Sequence, residues 1–170
     1  TSLAFLLSPS SEAVTPLTIL NLNHNRISDA GAIAIALKLS RNKTLHTLGL
    51  GYNAISSNGA IALAKSLAQG NNKHLSALEL QNNRIGPSAA LEFLKYLDSE
   101  NFRGKGKGAA LSTINLSCNN LGDVGAYAMQ QLSDQRMIGN LIIHGNLVGQ
   151  CNCKNCILTS GSDLDANHWS

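Results

Sequence analysis

Three cysteines near the C-terminus have the spacing of metal ligands. Cys151, Cys153 and Cys156 lie close together, and His168 follows near enough in the chain to be a fourth ligand. Thiolates and imidazole are the ligands that structural zinc sites use. The paired second half of a zinc motif is missing, however, and small reduced cysteines that cover the end of a domain would give the same pattern. We therefore predict neither a metal nor another cofactor, and keep zinc at these four residues as the alternative.

The five histidines are dispersed along the chain, at positions 24, 46, 74, 144 and 168. Catalysis by a nucleophile needs a general base and a group that orients this base, all within hydrogen-bond reach. Only His24 and His144 are expected on the same surface, and they would lie four strands apart at about 4.8 Å each. The sequence therefore predicts a protein that is not an enzyme.

Composition and charge exclude several classes of partner. Hydrophobic residues make up 44% of the 170, enough for a buried core, but aromatics only 4%, so the core must be aliphatic. A net charge of +3 is too small to attract nucleic acid or an anionic membrane, and the apolar stretches are too short to span a bilayer. Three of the four cysteines are clustered, which is no disulfide framework. We expect a cytoplasmic protein that binds neither nucleic acid nor membrane.

One pattern of eleven residues recurs along the chain. Its copies are LTILNLNHNRI from Leu17, LHTLGLGYNAI from Leu45, LSALELQNNRI from Leu75, LSTINLSCNNL from Leu111 and the looser IGNLIIHGNLV from Ile138. The asparagine at position nine of each copy is Asn25, Asn53, Asn83, Asn119 or Asn146, and these are separated by 28, 30, 36 and 27 residues. The chain is therefore built from units of about 28 residues, with an insertion in the third.

Each copy of the pattern predicts a strand followed by a turn. Positions four and six are apolar and alternate with polar neighbours, as Leu20 and Leu22 do around Asn21, so the apolar side chains share one face of a strand. The asparagine at position nine turns the chain, and its side-chain amide should bond backbone groups that no strand reaches. Stacked repeats would then carry a ladder of asparagines.

A stretch rich in small residues follows each turn and predicts a helix from Ser28, Ser56, Gly86 and Gly122. We expect the space between helix and sheet to be filled by Ile33, Leu37, Leu63, Leu67, Leu91, Leu94, Val124 and Met129. Right-handed crossovers place all helices on one side of a parallel sheet. Because helices are wider than strands, the sheet should line the concave face of an α/β solenoid, with the helices on the convex face.

The pattern LxxLxLxxNxL, followed by a Gly-Ala-x-Ala-Leu helix at a period of about 28 residues, resembles the ribonuclease-inhibitor class of leucine-rich repeats. The resemblance covers residues 17–148 as five repeats. We expect residues 1–16 to be an N-terminal cap or a truncated repeat, and residues 149–170 to be a C-terminal cap or tail.

The resemblance implies a function in binding another protein. Solenoids of this class occur in enzyme inhibitors, innate immune receptors, activators of small GTPases and bacterial effectors. We predict a monomer, or one subunit of a hetero-complex, that inhibits or regulates its partner; a bacterial effector would do so in the host cytosol. The alternative is a ligand-sensing repeat arm of a larger innate-immune receptor.

The predicted binding site is the concave face, which takes side chains from positions five, seven and eight. Its members are Asn21, Asn23, His24, Tyr52, Glu79, Gln81, Asn82, Asn115, Ser117 and His144. Tyr52 lies beside Gly49 and Gly51 and is the expected anchor, since a partner could approach these glycines closely. Cys118 is expected to pack inward instead. The alternative is that the partner binds the rim or the helices.

Overall fold

The computed structural model describes residues 16–69, 74–98, 111–135 and 138–146. The elements are β1 (Ile19–Asn21), α1 (Asp29–Leu39), β2 (Thr47–Gly49), α2 (Ser57–Gln69), β3 (Ala77–Glu79), α3 (Pro87–Leu97), β4 (Thr113–Asn115), α4 (Gly122–Asp134) and β5 (Asn140–Ile142). Strand and helix alternate through the five copies of the pattern, as the spacing predicts. None of the helices in these ranges is long and apolar enough to cross a membrane.

The five strands form one parallel sheet in chain order, which confirms the predicted α/β solenoid. The register is the same at every step, so that Leu48 of β2 faces Leu20 on one side and Leu78 on the other. Backbone hydrogen bonds continue the ladder beyond the three-residue strands, for example from Tyr52 N–H to the Gln81 carbonyl at 2.8 Å. Each helix packs against the helix of the next repeat, and this layer covers one side of the sheet.

The core lies between the sheet and the helices, and the helix residues that fill it are only partly those that the sequence suggested. Leu63, Leu67 and Met129 are buried as predicted, and Leu94 is half-buried. The prediction is wrong for four residues that are exposed on the helices, namely Ile33, Leu37, Leu91 and Val124. The core instead takes the helix residues Ala32, Ile35, Ala36, Leu39, Ala60, Ala64, Ala89, Ala90, Phe93, Leu97, Ala126 and Leu132. Ala32 and Ala90 lie against Gly59 and Gly125 of the next helix, so these small residues let neighbouring helices approach closely.

The N-termini of α1 and α2 are also joined by a carboxylate. Asp29, in the first turn of α1, accepts hydrogen bonds from the Ser56 N–H at 2.7 Å, the Ser56 hydroxyl at 2.5 Å and the Gly59 N–H at 3.1 Å. It therefore caps α2 from the preceding repeat. Burial raises the pKa of the Asp29 carboxyl, but the bonds from Ser56 and Gly59 outweigh burial and leave this pKa below its ordinary value.

Several predictions fall on residues outside the described ranges. They are the N-terminal segment up to residue 15, the C-terminal cap or tail at 149–170, and the alternative zinc ligands Cys151, Cys153, Cys156 and His168. These remain predictions.

Candidate protein-binding surface

The side of the sheet that faces away from the helices is called the strand face here. It is formed by positions three, five, seven and eight of each copy of the pattern, from Ile19 in the first to Gly145 in the last. Of the predicted binding residues, Asn21, His24, Tyr52 and His144 are exposed, while Asn23, Glu79, Gln81, Asn82 and Asn115 are half-buried. Ser117 is buried, which contradicts the prediction that it contacts a partner.

A ladder of asparagines supports the edge where the strands end, which confirms the role predicted for position nine. The Asn83 side-chain N–H groups donate to the carbonyls of Leu50, Leu80 and Gln81 at 2.9 to 3.3 Å, and its side-chain oxygen accepts the Ile55 N–H at 3.0 Å. Asn53 and Asn119 repeat these bonds one unit earlier and one unit later. Each amide thereby joins the turns of two repeats and pairs backbone groups of both turns.

The residues at position eight form a row of left-handed backbone along this edge, called the turn row below. Its members, with their φ angles, are His24 at 57°, Tyr52 at 56°, Asn82 at 53°, Cys118 at 52° and Gly145 at 68°. This conformation costs about 1–2 kcal/mol for a residue other than glycine. The sheet ladder holds it in place, since the N–H groups of His24, Tyr52, Asn82 and Cys118 each donate to the next strand. Strain held in this way often accompanies binding sites.

His24 and Tyr52 form a stacked aromatic pair in the turn row. Their ring centroids are 4.1 Å apart, and the ring planes differ by 15°. Both residues are exposed, Tyr52 to 45%. Because the sheet fixes the backbone of each residue and the rings rest on each other, the aromatic pair is held in place before any partner arrives.

The two glycines beside Tyr52 are covered by side chains of neighbouring strands. A Cβ atom on Gly51 would lie 2.6 Å from the Gln81 side-chain carbon Cδ, and one on Gly49 would lie 3.0 Å from Asn23 Oδ1. Both glycines are buried. The expectation that a partner backbone could approach them closely is therefore wrong, because the glycines make room for the protein's own amides.

Asn23 connects three strands across the glycines. Its side-chain oxygen accepts the Gly51 N–H at 2.6 Å, and its side-chain nitrogen donates to Glu79 Oε2 at 3.2 Å. Its backbone N–H donates to Asn21 Oδ1 at 3.0 Å. Glu79 lies on the central strand β3, so a carboxylate occupies the middle of the face and is held from two repeats away.

Two predictions near β4 are wrong for related reasons. The Ser117 hydroxyl donates to Asn115 Oδ1 at 2.7 Å, which turns this side chain along its own strand and buries it. Cys118 is exposed rather than packed inward, because its left-handed backbone directs it outward as it does Tyr52. Neither orientation follows from alternation along a strand, since the turn begins between the two residues.

Sequence reasoning missed the residues at position three, which share the strand face. They are Ile19, Thr47, Ala77, Thr113 and Asn140. Ile19 is 63% exposed, the largest apolar exposure on this face. The signal was available, since positions three and five of a strand point to the same side.

Two of the histidines lie close together in the described structure. His46 and His74, which belong to neighbouring repeats, have ring centroids 5.8 Å apart, although the sequence suggested dispersed histidines. His46 Nδ1 is 2.8 Å from the Thr44 carbonyl. In the described residues, no three His, Cys, Asp or Glu side chains could share a metal ion.

Two comparisons with known proteins agree with this architecture. The family model described as "Leucine Rich repeat" matches residues 15–36, 41–64, 71–98 and 111–129, which is just over half of the chain. Among solved structures, one titled "Leiomodin-1 Actin-Binding Site 2 (ABS2)" is similar with a TM-score of 0.53 and 25% sequence identity. The similarity covers 72% of this chain and 67% of that one. No curated protein matches the sequence.

Proposed function

This chain belongs to the leucine-rich-repeat family and is a protein-interaction module, and we propose that its strand face is the surface that holds the partner. The observation that carries this proposal is the order already present on that face. Asn23 is seated over Gly49 of the neighbouring strand and bonded to Gly51 N–H and Glu79, and His24 is stacked on Tyr52. Side chains that are fixed before binding lose little entropy on binding, so more of the contact energy becomes affinity.

The aromatic pair is the proposed centre of the contact. Exposed aromatic residues with a fixed orientation are frequent hot spots of protein interfaces, and amide side chains around them supply hydrogen bonds at small cost. The pair lies at one end of a surface that continues through Glu79 and Gln81 toward Asn115. A partner that covers this surface would contact at least four consecutive repeats.

We also propose the finer assignments that the repeats suggested. The unit of about 28 residues favours the ribonuclease-inhibitor class, and a small solenoid that needs no chemistry is suited to inhibit or regulate its partner by covering it. The clustered cysteines favour a reducing, cytoplasmic location. The similar leiomodin-1 domain is by its title an actin-binding site, so actin is the first defined partner to test on this chain.

The test is a capture experiment with matched variants. Wild type, a strand-face variant (Tyr52→Asn with Glu79→Gln) and a helix-face variant (Tyr127→Asn) are immobilised. Each is exposed to lysate of the source cell and, separately, to purified actin. We expect a protein that is retained by wild type and by the helix-face variant and is lost on the strand-face variant. Titration of that purified protein, and its activity with and without the chain, then tests inhibition.

The reverse pattern contradicts the proposal. A protein that is retained by the strand-face variant and lost with Tyr127→Asn would move the contact to the helices. A partner whose activity does not change on binding would remove the inhibitory role and leave the binding role.

A further inference from the structure

The charge of the strand face is opposite to that of the whole chain. The chain has 13 basic and 10 acidic residues. No lysine or arginine stands at position three, five, seven or eight of the five copies, and Glu79 is the one acidic residue at these positions. The described basic side chains lie on the helices and in the connecting segments; they are Arg26, Lys38, Arg41, Lys43, Lys65, Arg84 and Lys95. The net positive charge of the protein is therefore a poor guide to the charge of its partner.

Glu79 is a half-buried carboxylate without a cation. Its Oε2 accepts one hydrogen bond, from the Asn23 amide, and among the described residues no lysine, arginine or histidine forms an ion pair with it. Glu79 lies on the third of five strands, and its side chain is partly covered by the protein. A carboxylate in such a place gains from a positive partner more than a fully exposed one does.

A second acceptor, which has no hydrogen-bond donor, follows on the same side of the strand. Gln81 is two residues after Glu79, so both side chains point to the strand face. Its Oε1 is buried and has no hydrogen-bond donor within the described structure. A buried acceptor that lacks a donor is unfavourable, and a donor supplied by a partner would remove this cost once the amide turns outward. Two neighbouring acceptors call for a ligand with several donors.

We infer that the strand face receives an arginine side chain of the partner protein, with the guanidinium on Glu79 and Gln81. Arginine has five N–H donors and no acceptor, which matches a carboxylate beside an unpaired amide oxygen. Its planar group also stacks on aromatic rings, which a lysine ammonium does less well. The stacked pair is connected to Glu79 through Asn23. The Asn23 amide is bonded to Glu79, and the next residue in the chain is His24 of the pair. The inference rests on the proposed function and names the chemistry of the partner at that site.

The test selects peptides from a random library displayed on phage. The immobilised baits are wild type, Glu79→Gln, Glu92→Gln and Tyr52→Asn. Glutamine at position 79 retains an oxygen for the Asn23 amide, so this variant removes the charge and little else. Glu92 on α3 is the matched control, since it lies on the helix side and is paired with Lys95. We expect arginine at one fixed position of the peptides enriched by wild type and Glu92→Gln, and no such arginine on Glu79→Gln.

Synthetic peptides then measure the contribution of the guanidinium. Replacing the selected arginine by citrulline, which has the same shape without the charge, should weaken binding to wild type about tenfold, between the values for exposed and buried pairs. Replacement by lysine should weaken it less. On Glu79→Gln, the arginine and citrulline peptides should bind equally well.

The failures of the two proposals are distinguishable. If wild type enriches no arginine, or if Glu79→Gln enriches it equally, the inference is wrong. If the enriched peptides lack arginine but are lost on Tyr52→Asn, the strand face still binds proteins and only the arginine is refuted. If the enriched peptides, with or without arginine, bind all four baits alike, the contact lies elsewhere and the proposed function fails as well.

Discussion

The two faces of the solenoid expose different kinds of side chain. On the strand face, polar side chains bond across repeats, as Asn23 does to Glu79. On the helix face, Ile33, Leu91 and Tyr127 stand at equivalent positions of α1, α3 and α4, and they are 41%, 47% and 62% exposed. The polar face is thus the ordered one, while the apolar row is held only by its helices.

The difference shows that a polar surface is not necessarily one that only contacts solvent and binds no partner. An apolar row gains free energy when a partner covers it. An ordered polar face favours binding because its side chains lose little conformational entropy when a partner covers them. Either face is therefore physically suited to binding, and substitutions matched between the two faces separate them.

The largest expected effect is a loss of folding, which would abolish both faces of the solenoid. Leu78 lies fully buried between the sheet and the helices, and Leu78→Asp would place a charge there without a partner. We expect a loss of more than about 4 kcal/mol in the free energy of unfolding, and hence an unfolded chain by circular dichroism. Leu78→Ile is the control and should cost less than about 1.5 kcal/mol. A cooperatively folded Asp variant would contradict the observed register.

The next largest expected effect is a loss of stability when one asparagine of the ladder beside the strand face is replaced. Asn83→Ala removes three donated hydrogen bonds and leaves the Ile55 N–H without its acceptor. We expect unfolding in urea to show a loss of about 2–4 kcal/mol, because several backbone groups become unpaired at once. The exposed Asn120 is the control, and Asn120→Ala should change stability by less than about 0.5 kcal/mol. Equal losses would mean that the ladder does not support this face.

A third prediction compares an aromatic residue on each face. Tyr52→Asn should weaken binding of the captured partner by about 2 kcal/mol in calorimetric titration, as the loss of a hot spot does. Its thermal stability should change little, since asparagine suits left-handed backbone and offsets the lost stacking on His24. Tyr127→Asn, on the helix face, should leave affinity unchanged. The opposite result would assign binding to the helix face.

The smallest effect tests the link between helices. The lowered pKa of Asp29 means that its carboxylate stabilises the fold above the pKa of the unfolded chain, and that this contribution is lost as pH falls below about 4. Asp29→Asn should therefore cost about 1 kcal/mol at pH 7, comparable to the loss of a helix cap. At pH 3, the difference from wild type should shrink. Asp123→Asn, at the exposed equivalent position of α4, is the control and should change stability at pH 7 by less than about 0.5 kcal/mol in urea unfolding.

Much of the fold followed from spacing. The leucines of the eleven-residue pattern and the asparagine at position nine predicted the strands, their order and the ladder, because each unit repeats the same local requirements. The helix face was predicted wrongly in α1, where Ile33 and Leu37 are as apolar as the buried Ile35 and Leu39. With few polar residues to mark the outer side, periodicity cannot choose between two apolar faces.

The candidate site was predicted in part. Alternation placed Glu79 and Asn23 on the strand face correctly, whereas Tyr52 reaches this face because its left-handed backbone turns it outward. It could not show that Asn23 reaches Glu79 across two strands, or that Ser117 is buried by its bond to Asn115. Those contacts depend on side-chain directions at the strand ends, where the chain leaves the alternating geometry.

The sequence by itself determined the repeating unit, because hydrophobic spacing and turn residues act over a few neighbouring positions and recur in every copy. Only the tertiary structure decided which side chains of different repeats meet. The covered glycines, the stacked rings of His24 and Tyr52, and the hydrogen bond from Asn23 to Glu79 all join residues about one or two repeats apart. Such contacts arise when parallel strands stack in register, which brings residues that are distant in the chain to the spacing of neighbouring strands.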